Sequence, residues 1–208
     1  MKEIKFIQHN QIDKLKWDLC MERSVNRIVY GLSWYLDIVS EEWNALIYGD
    51  YELIFPITCK NYIPFFPFIK QLYQPMFCQQ LGAFSPSKEL LTDQALMRDI
   101  LIFLKKHYWS LRYSFNHSIA LKYQEYILQQ KLFFKSVSRV NLELNLSVEY
   151  SRLFEKYNNN TKRNINKNKG LEYTINKIDN VSVFLNFLKN FLPGIINLKN
   201  KDYKTIYN

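Results

Sequence analysis

The run Trp43–Cys59, WNALIYGDYELIFPITC, constrains the fold more than any other stretch of this chain. Two apolar segments, 43–48 and 51–59, flank Gly49-Asp50, the composition of a tight hairpin turn. The spacing predicts two antiparallel strands, and an apolar sheet needs helices to cover it. Pro56 has no N–H to donate, which places the second strand at an edge or a bulge. Ahead of the hairpin, Ile4 and Phe6 alternate as an opening strand. A helix is expected from Asn10 to about Ser24 with Ile12, Leu15, Trp17 and Leu19 inward. A second follows over Ser33–Val39 with Trp34, Tyr35 and Ile38 inward.

Beyond the hairpin the prolines of the segment 62–68 mark a turn, and residues 71–84 read as an extended segment. Ser87 caps a helix whose stripe is Leu90, Leu91, Ala95, Leu96, Ile100, Leu101 and Leu104, ending near Lys105 and Lys106. Residues 109–115 read as a strand, and 123–134 fit either type. Val140, Leu142, Leu144 and Leu146 alternate with Asn141, Glu143 and Asn145, the pattern of a half-buried strand. Ser147 is placed to cap a helix striped by Tyr150, Leu153, Phe154 and Tyr157. Gly170 ends the basic stretch that follows, Leu171, Tyr173 and Ile175 alternate as a strand, and Asn180 caps a last helix to Phe191 with Val183, Phe184, Phe187 and Leu188 inward. The sum is a mixed α/β chain with a junction near residue 146.

Charge is unevenly placed. Residues 151–208 hold eleven Lys and Arg against four Asp and Glu, which is +7 of the chain's net +9. Such a balance favours anionic partners, among them nucleic acid, coenzyme phosphates and anionic lipid. Asn and Lys also rise together in A/T-rich coding sequence, so charge alone names no partner. The three cysteines and three histidines show no metal-ligand spacing. No segment reaches the apolar length of a membrane span, and the N-terminus MKEIKFIQHNQIDKLKW lacks a signal-peptide core, so a cytoplasmic location is expected. Neither nucleotide-binding glycine fingerprint is present, and no serine sits in a glycine-flanked elbow.

Two groups of residues carry candidate chemistry. In the strip YNNNTKRNINKNKG, helical spacing puts Lys162 with Asn166 and Arg163 with Lys167 on adjacent ridges. Those ridges either grip phosphates or face water. No aromatic residue interrupts Lys162 to Lys169, so a base-stacking platform is lacking. The second group is Gln71, Tyr73, Gln74, Gln79 and Gln80. Amides beside aromatic residues line a pocket for a neutral polar group, or else point outward from an edge strand.

In order along the chain, Gly31-Leu32-Ser33-Trp34-Tyr35-Leu36-Asp37, Trp43-x-Ala45-Leu46, Leu53-x-Phe55-Pro56-Ile57, Tyr73-Gln74-Pro75-x-Phe77-x-Gln79-Gln80-Leu81-Gly82-x-Phe84 and Tyr157-x4-Lys162-Arg163-Asn164-Ile165-x-Lys167 followed by Gly170-Leu171 resemble the FemAB-like branch of the GNAT (Gcn5-related) N-acyltransferase superfamily. The resemblance implies an α+β fold with a GNAT-like mixed central sheet flanked by helices. It implies a first acyltransferase-like domain over 1–145 and the start of a second, truncated one over 146–208. The activity implied is transfer of an acyl or aminoacyl group to an amine, from acyl-CoA or an aminoacyl-tRNA. A peptidoglycan-precursor amine is one acceptor, and the early end of the second domain leaves open whether this short chain is active. Lys162, Arg163 and Lys167 become donor or substrate contacts, with Gln79, Gln80 and Tyr73 lining the acceptor groove. The alternatives are a noncatalytic basic module for RNA or an acidic protein, and a structural half of a larger assembly.

Overall fold

The computed structural model describes residues 3–40, 42–63, 66–129, 137–172, 174, 177, 180–191 and 200–207. These form two compact units. The first comprises residues 1–137 with 200–206 and 208, and the second residues 138–199 with 207.

The first unit is built on strand β3, Leu53–Ile57, in which all five residues are buried. Strand β2, Asn44–Tyr48, pairs with it antiparallel through the expected turn, and β1, Ile4–Ile7, pairs antiparallel with β2. The turn closes with the Glu52 N–H donating to the Tyr48 carbonyl at 3.0 Å. Pro56 is tolerated because β3 ends the three-strand order β1-β2-β3, and its outer side carries only an isolated antiparallel bridge from Ile54 to Phe84. A second bridge joins Leu81 in parallel to Phe115.

A buried strand needs apolar cover on both faces, and helices supply it. Leu53, Phe55 and Ile57 face one cluster with α3 (Lys88–Thr92), α4 (Gln94–His107) and α5 (His117–Gln129). Ile54 faces the other, with α1 (Lys14–Arg23) and α2 (Ser33–Val39). Trp17 on α1 packs against Trp43 with the rings tilted by 57° and their centroids 4.6 Å apart, and its indole N–H donates to the Gly31 carbonyl at 2.8 Å. A Cβ at Gly31 would lie 2.7 Å from the Met21 methyl, so a larger residue there requires the Met21 side chain to move. The start of α2 is held from α1, with the Asp18 carboxylate accepting from the Ser33 N–H at 2.7 Å and its hydroxyl at 2.6 Å.

The structure corrects several element readings. The first helix starts at the Asp13 cap rather than Asn10, and it buries Trp17, Cys20 and Met21. Leu15 and Leu19 are exposed, because the close fit of Trp17 over Gly31 sets the rotation of α1. On α2 the buried apolar side chain is Leu36, and Trp34 is exposed. The helix capped by Ser87 breaks at Asp93, whose side chain accepts from the Leu96 N–H and starts α4. Residues 59–73 form an unforeseen hairpin, β4 (Cys59–Ile63) and β5 (Phe66–Tyr73), with β6 (Ser110–Arg112) parallel to β5.

The second unit holds α6 (Tyr150–Lys156), α7 (Asn159–Asn168) and α8 (Val181–Phe191). The strand expected over 140–146 is absent there: Val140, Leu142, Leu144 and Leu146 are exposed and pair with no other strand. Alternation makes a strand only when a neighbour takes up its hydrogen bonds. Ser147 does not cap α6; its N–H donates instead to the Asn145 side chain. On α8 the buried residue is Leu185, while Val183, Phe184 and Phe187 are exposed. Leu171 lies in a bend, and Tyr173 and Ile175 lie outside the described residues. Helix α9, Asn200–Tyr207, belongs to the first unit over residues 200–206.

The rotation of α1 is testable. Trp17→Ala is expected to lower stability by about 3–5 kcal/mol, and Leu15→Ala by less than about 0.5 kcal/mol, in urea unfolding. Equal effects would contradict the packing.

Candidate functional site

Helix α2 and the loop after β5 are 35 or more residues apart in sequence, yet they frame one cleft. Its walls are Trp34, Tyr35, Ile38, Val39, Phe77 and Thr205, around a volume of about 260 Å³. The Tyr35 hydroxyl donates to the Phe77 carbonyl at 2.9 Å, fixing the loop to the helix. Phe77 has φ of 68°, a left-handed backbone that a bulky aromatic residue seldom adopts. Two bonds from Gln74 help hold it there: its amide N–H donates to the Cys78 carbonyl and its side-chain oxygen accepts from the Ser114 N–H, both at 3.0 Å. Trp34 and Phe77 remain partly open to solvent, so the cleft has an accessible apolar mouth.

The glutamine group divides by role. Gln80 is buried, and its side-chain oxygen accepts from the His117 N–H at 2.8 Å, which satisfies the first turn of α5. Gln79 beside it is exposed. Asn116, also buried, donates from its side chain to the Asn26 carbonyl and accepts from the Ser118 N–H, so amides knit this corner together. Tyr73 is half-buried with the Lys60 ammonium 4.7 Å from its ring centroid, and its hydroxyl lies 3.5 Å from the Ser40 hydroxyl.

Near α2, Asp37 accepts from the Trp43 indole N–H at 2.9 Å and from the Lys14 ammonium at 2.7 Å, with His9 at 3.7 Å. This carboxylate anchors the helix to both β2 and α1. Nothing in the spacing of Lys14, Asp37 and Trp43 announced that arrangement. The left-handed Phe77 had no sequence signal either, since glycine or asparagine is the usual occupant of such a backbone.

Lys162, Arg163 and Lys167 lie in the second unit, on α7, which restarts at the Asn158 cap after a break at Tyr157. The Lys162 ammonium donates to the Glu155 carbonyl at 2.8 Å and the Arg163 guanidinium to the Asn160 side chain at 2.9 Å. Lys169 stands 5.3 Å from the Phe154 ring centroid. Each of these contacts is to a neutral group, and among the described residues no carboxylate pairs with Lys162 or Arg163. The six candidate residues therefore divide between the two units, three in each.

Among the described residues no three His, Cys, Asp or Glu side chains are grouped to hold a metal ion. Burial pushes the Cys20 thiol up to about 11 and the Cys78 thiol up to about 12, which removes both as thiolate nucleophiles near neutrality. No family model, curated protein or solved structure matches the chain.

The thiols give a pH dependence of known sign. Released by the unfolded chain near pH 8.5 but held by the folded one to higher pH, their protons make the unfolded state bind fewer protons above about pH 9. Stability is therefore complete below that pH and falls as pH rises, by about 1.4 kcal/mol per unit for each thiol. A urea midpoint unchanged between pH 7 and about 10 would contradict it. Cys20 and Cys78 should likewise resist a thiol reagent until the chain unfolds.

Proposed function

We propose that this protein is N-acyltransferase-like, of the FemAB-like type, with a GNAT-like first unit that receives an amine acceptor at the cleft between α2 and the 74–79 loop. One observation carries the reading. The Gly31–Asp37 and Tyr73–Phe84 motifs, distant in sequence, meet through the Tyr35–Phe77 hydrogen bond and wall the same cleft. The mixed pairing supports it: antiparallel from β1 to Phe84, then parallel from Leu81 to Phe115, with helices over both faces.

In the reaction proposed, a neutral amine attacks the carbonyl carbon of a thioester or ester. The new C–N bond forms, the C–S or C–O bond breaks, and the amine proton leaves with the departing thiol or alcohol. The chain's part is to position the acceptor and exclude water, since no activated nucleophile is assembled in the cleft. Gln79, exposed beside the loop, offers an amide to the acceptor. On α7, Lys162, Arg163 and Lys167 fit the phosphates of a coenzyme or of a tRNA, being cations without carboxylate partners among the described residues.

That same charge favours a second reading, a noncatalytic basic module for RNA or an acidic protein. Salt separates them, because RNA binding weakens steeply as ions are added.

Coenzyme A at saturating concentration is expected to raise the thermal midpoint of the full chain by a few degrees, roughly the effect of 2–3 kcal/mol of binding linkage at about a hundred times Kd. Lys162→Ala with Arg163→Ala should remove most of that rise. No rise with coenzyme A, beside salt-sensitive retention of RNA, would overturn the acyltransferase reading in favour of the second.

A further inference from the structure

The second unit combines high apolar content with little burial. Among its described residues, Leu153 and Leu185 are the buried apolar side chains. Helix α8 concentrates the mismatch. Phe184, Phe187 and Phe191 are 43%, 51% and 69% exposed. At about 100° per residue these three fall within an arc of about 60°, with Ser182 and Lys189 on the far side. The Phe187 and Phe191 rings stack with centroids 4.9 Å apart, making a continuous aromatic ridge.

Charge narrows what covers that ridge. Residues 138–199 hold ten Lys and Arg against five Asp and Glu, a net of +5. A second copy of the unit would bring like charge against like. The ridge also projects from a helix instead of lining a groove, a shape that a deformable surface accommodates without a matching knob. Among the described residues no helix is long and apolar enough to cross a membrane. A helix with an aromatic face on a cationic unit is built to lie in the lipid interface.

We propose that the second unit docks on an anionic membrane surface, with the α8 phenylalanine ridge entering the headgroup–acyl boundary. The attraction of the unit's cations for anionic headgroups is long-range and screened by salt, and the ridge supplies the apolar contact. This inference is independent of acyl transfer.

The test is vesicle co-sedimentation of the full chain. Vesicles of phosphatidylcholine alone are compared with vesicles carrying about 30% phosphatidylglycerol, in low salt and in about 0.5 M salt. Partitioning is expected to be at least roughly tenfold greater on the anionic vesicles and to fall with salt. Phe184→Glu with Phe187→Glu should cut it by about tenfold more, with the circular dichroism spectrum unchanged. Should that pair disturb folding, Phe187→Ser alone is read in the same assay. Failure to sediment with either vesicle, or binding untouched by the phenylalanine variants, would overturn the proposal and assign the ridge to a protein partner.

Discussion

Strand β3 sets the terms for the first unit. Its five residues, Leu-Ile-Phe-Pro-Ile, offer no polar face. Because side chains alternate along a strand, Leu53, Phe55 and Ile57 demand apolar cover on one side and Ile54 on the other. The hairpin alone would leave both faces wet. Helices α3 to α5 answer one face and α1 with α2 the other, so both clusters depend on one strand. The polar bonds then fix orientation: Asp18 to the start of α2, Trp17 to Gly31, Asp37 to Trp43 and Lys14, and Gln80 to the start of α5. The cleft beside α2 depends on that clamping, since Tyr35 on the clamped helix donates to the Phe77 carbonyl.

Among its described residues the second unit has no such organising strand. Its helices are locally well specified, with Asn158 capping α7 and Asn180 capping α8. Caps satisfy orphan amides but do not build a core. With Leu153 and Leu185 as the buried apolar side chains among its described residues, the unit gains little from burial to offset chain entropy. Its exposed aromatic ridge follows from the same deficit.

Local signals were read well from sequence. The hairpin at Gly49-Asp50, the bounds of α2, the Ser87 cap and the Asn180 cap each depend on a few neighbouring residues. Rotations and pairings were read less well. Leu15 and Leu19 satisfy helical periodicity as well as Trp17 does, and distant partners, Trp43 and the Gly31 carbonyl among them, decide between the faces. The prolines at 64 and 67 hid the β4–β5 hairpin. Among the described residues β6 pairs with the 71–73 end of β5 alone. Residues 140–146 alternate cleanly yet find no strand to pair with. Among the candidate site residues, the helical spacing of Lys162, Arg163 and Lys167 was legible, whereas the capping role of Gln80 depended on where His117 arrives.

The central physical claim is the asymmetry between a core-bearing first unit and a second unit with little core. Native-state amide hydrogen exchange on the full chain tests it most directly. The account expects amides of β2, β3 and α4 to exchange only through global unfolding, while those of α7 and α8 exchange orders of magnitude faster through local opening. Protection of α7 and α8 equal to that of β3, in the free protein, would contradict it.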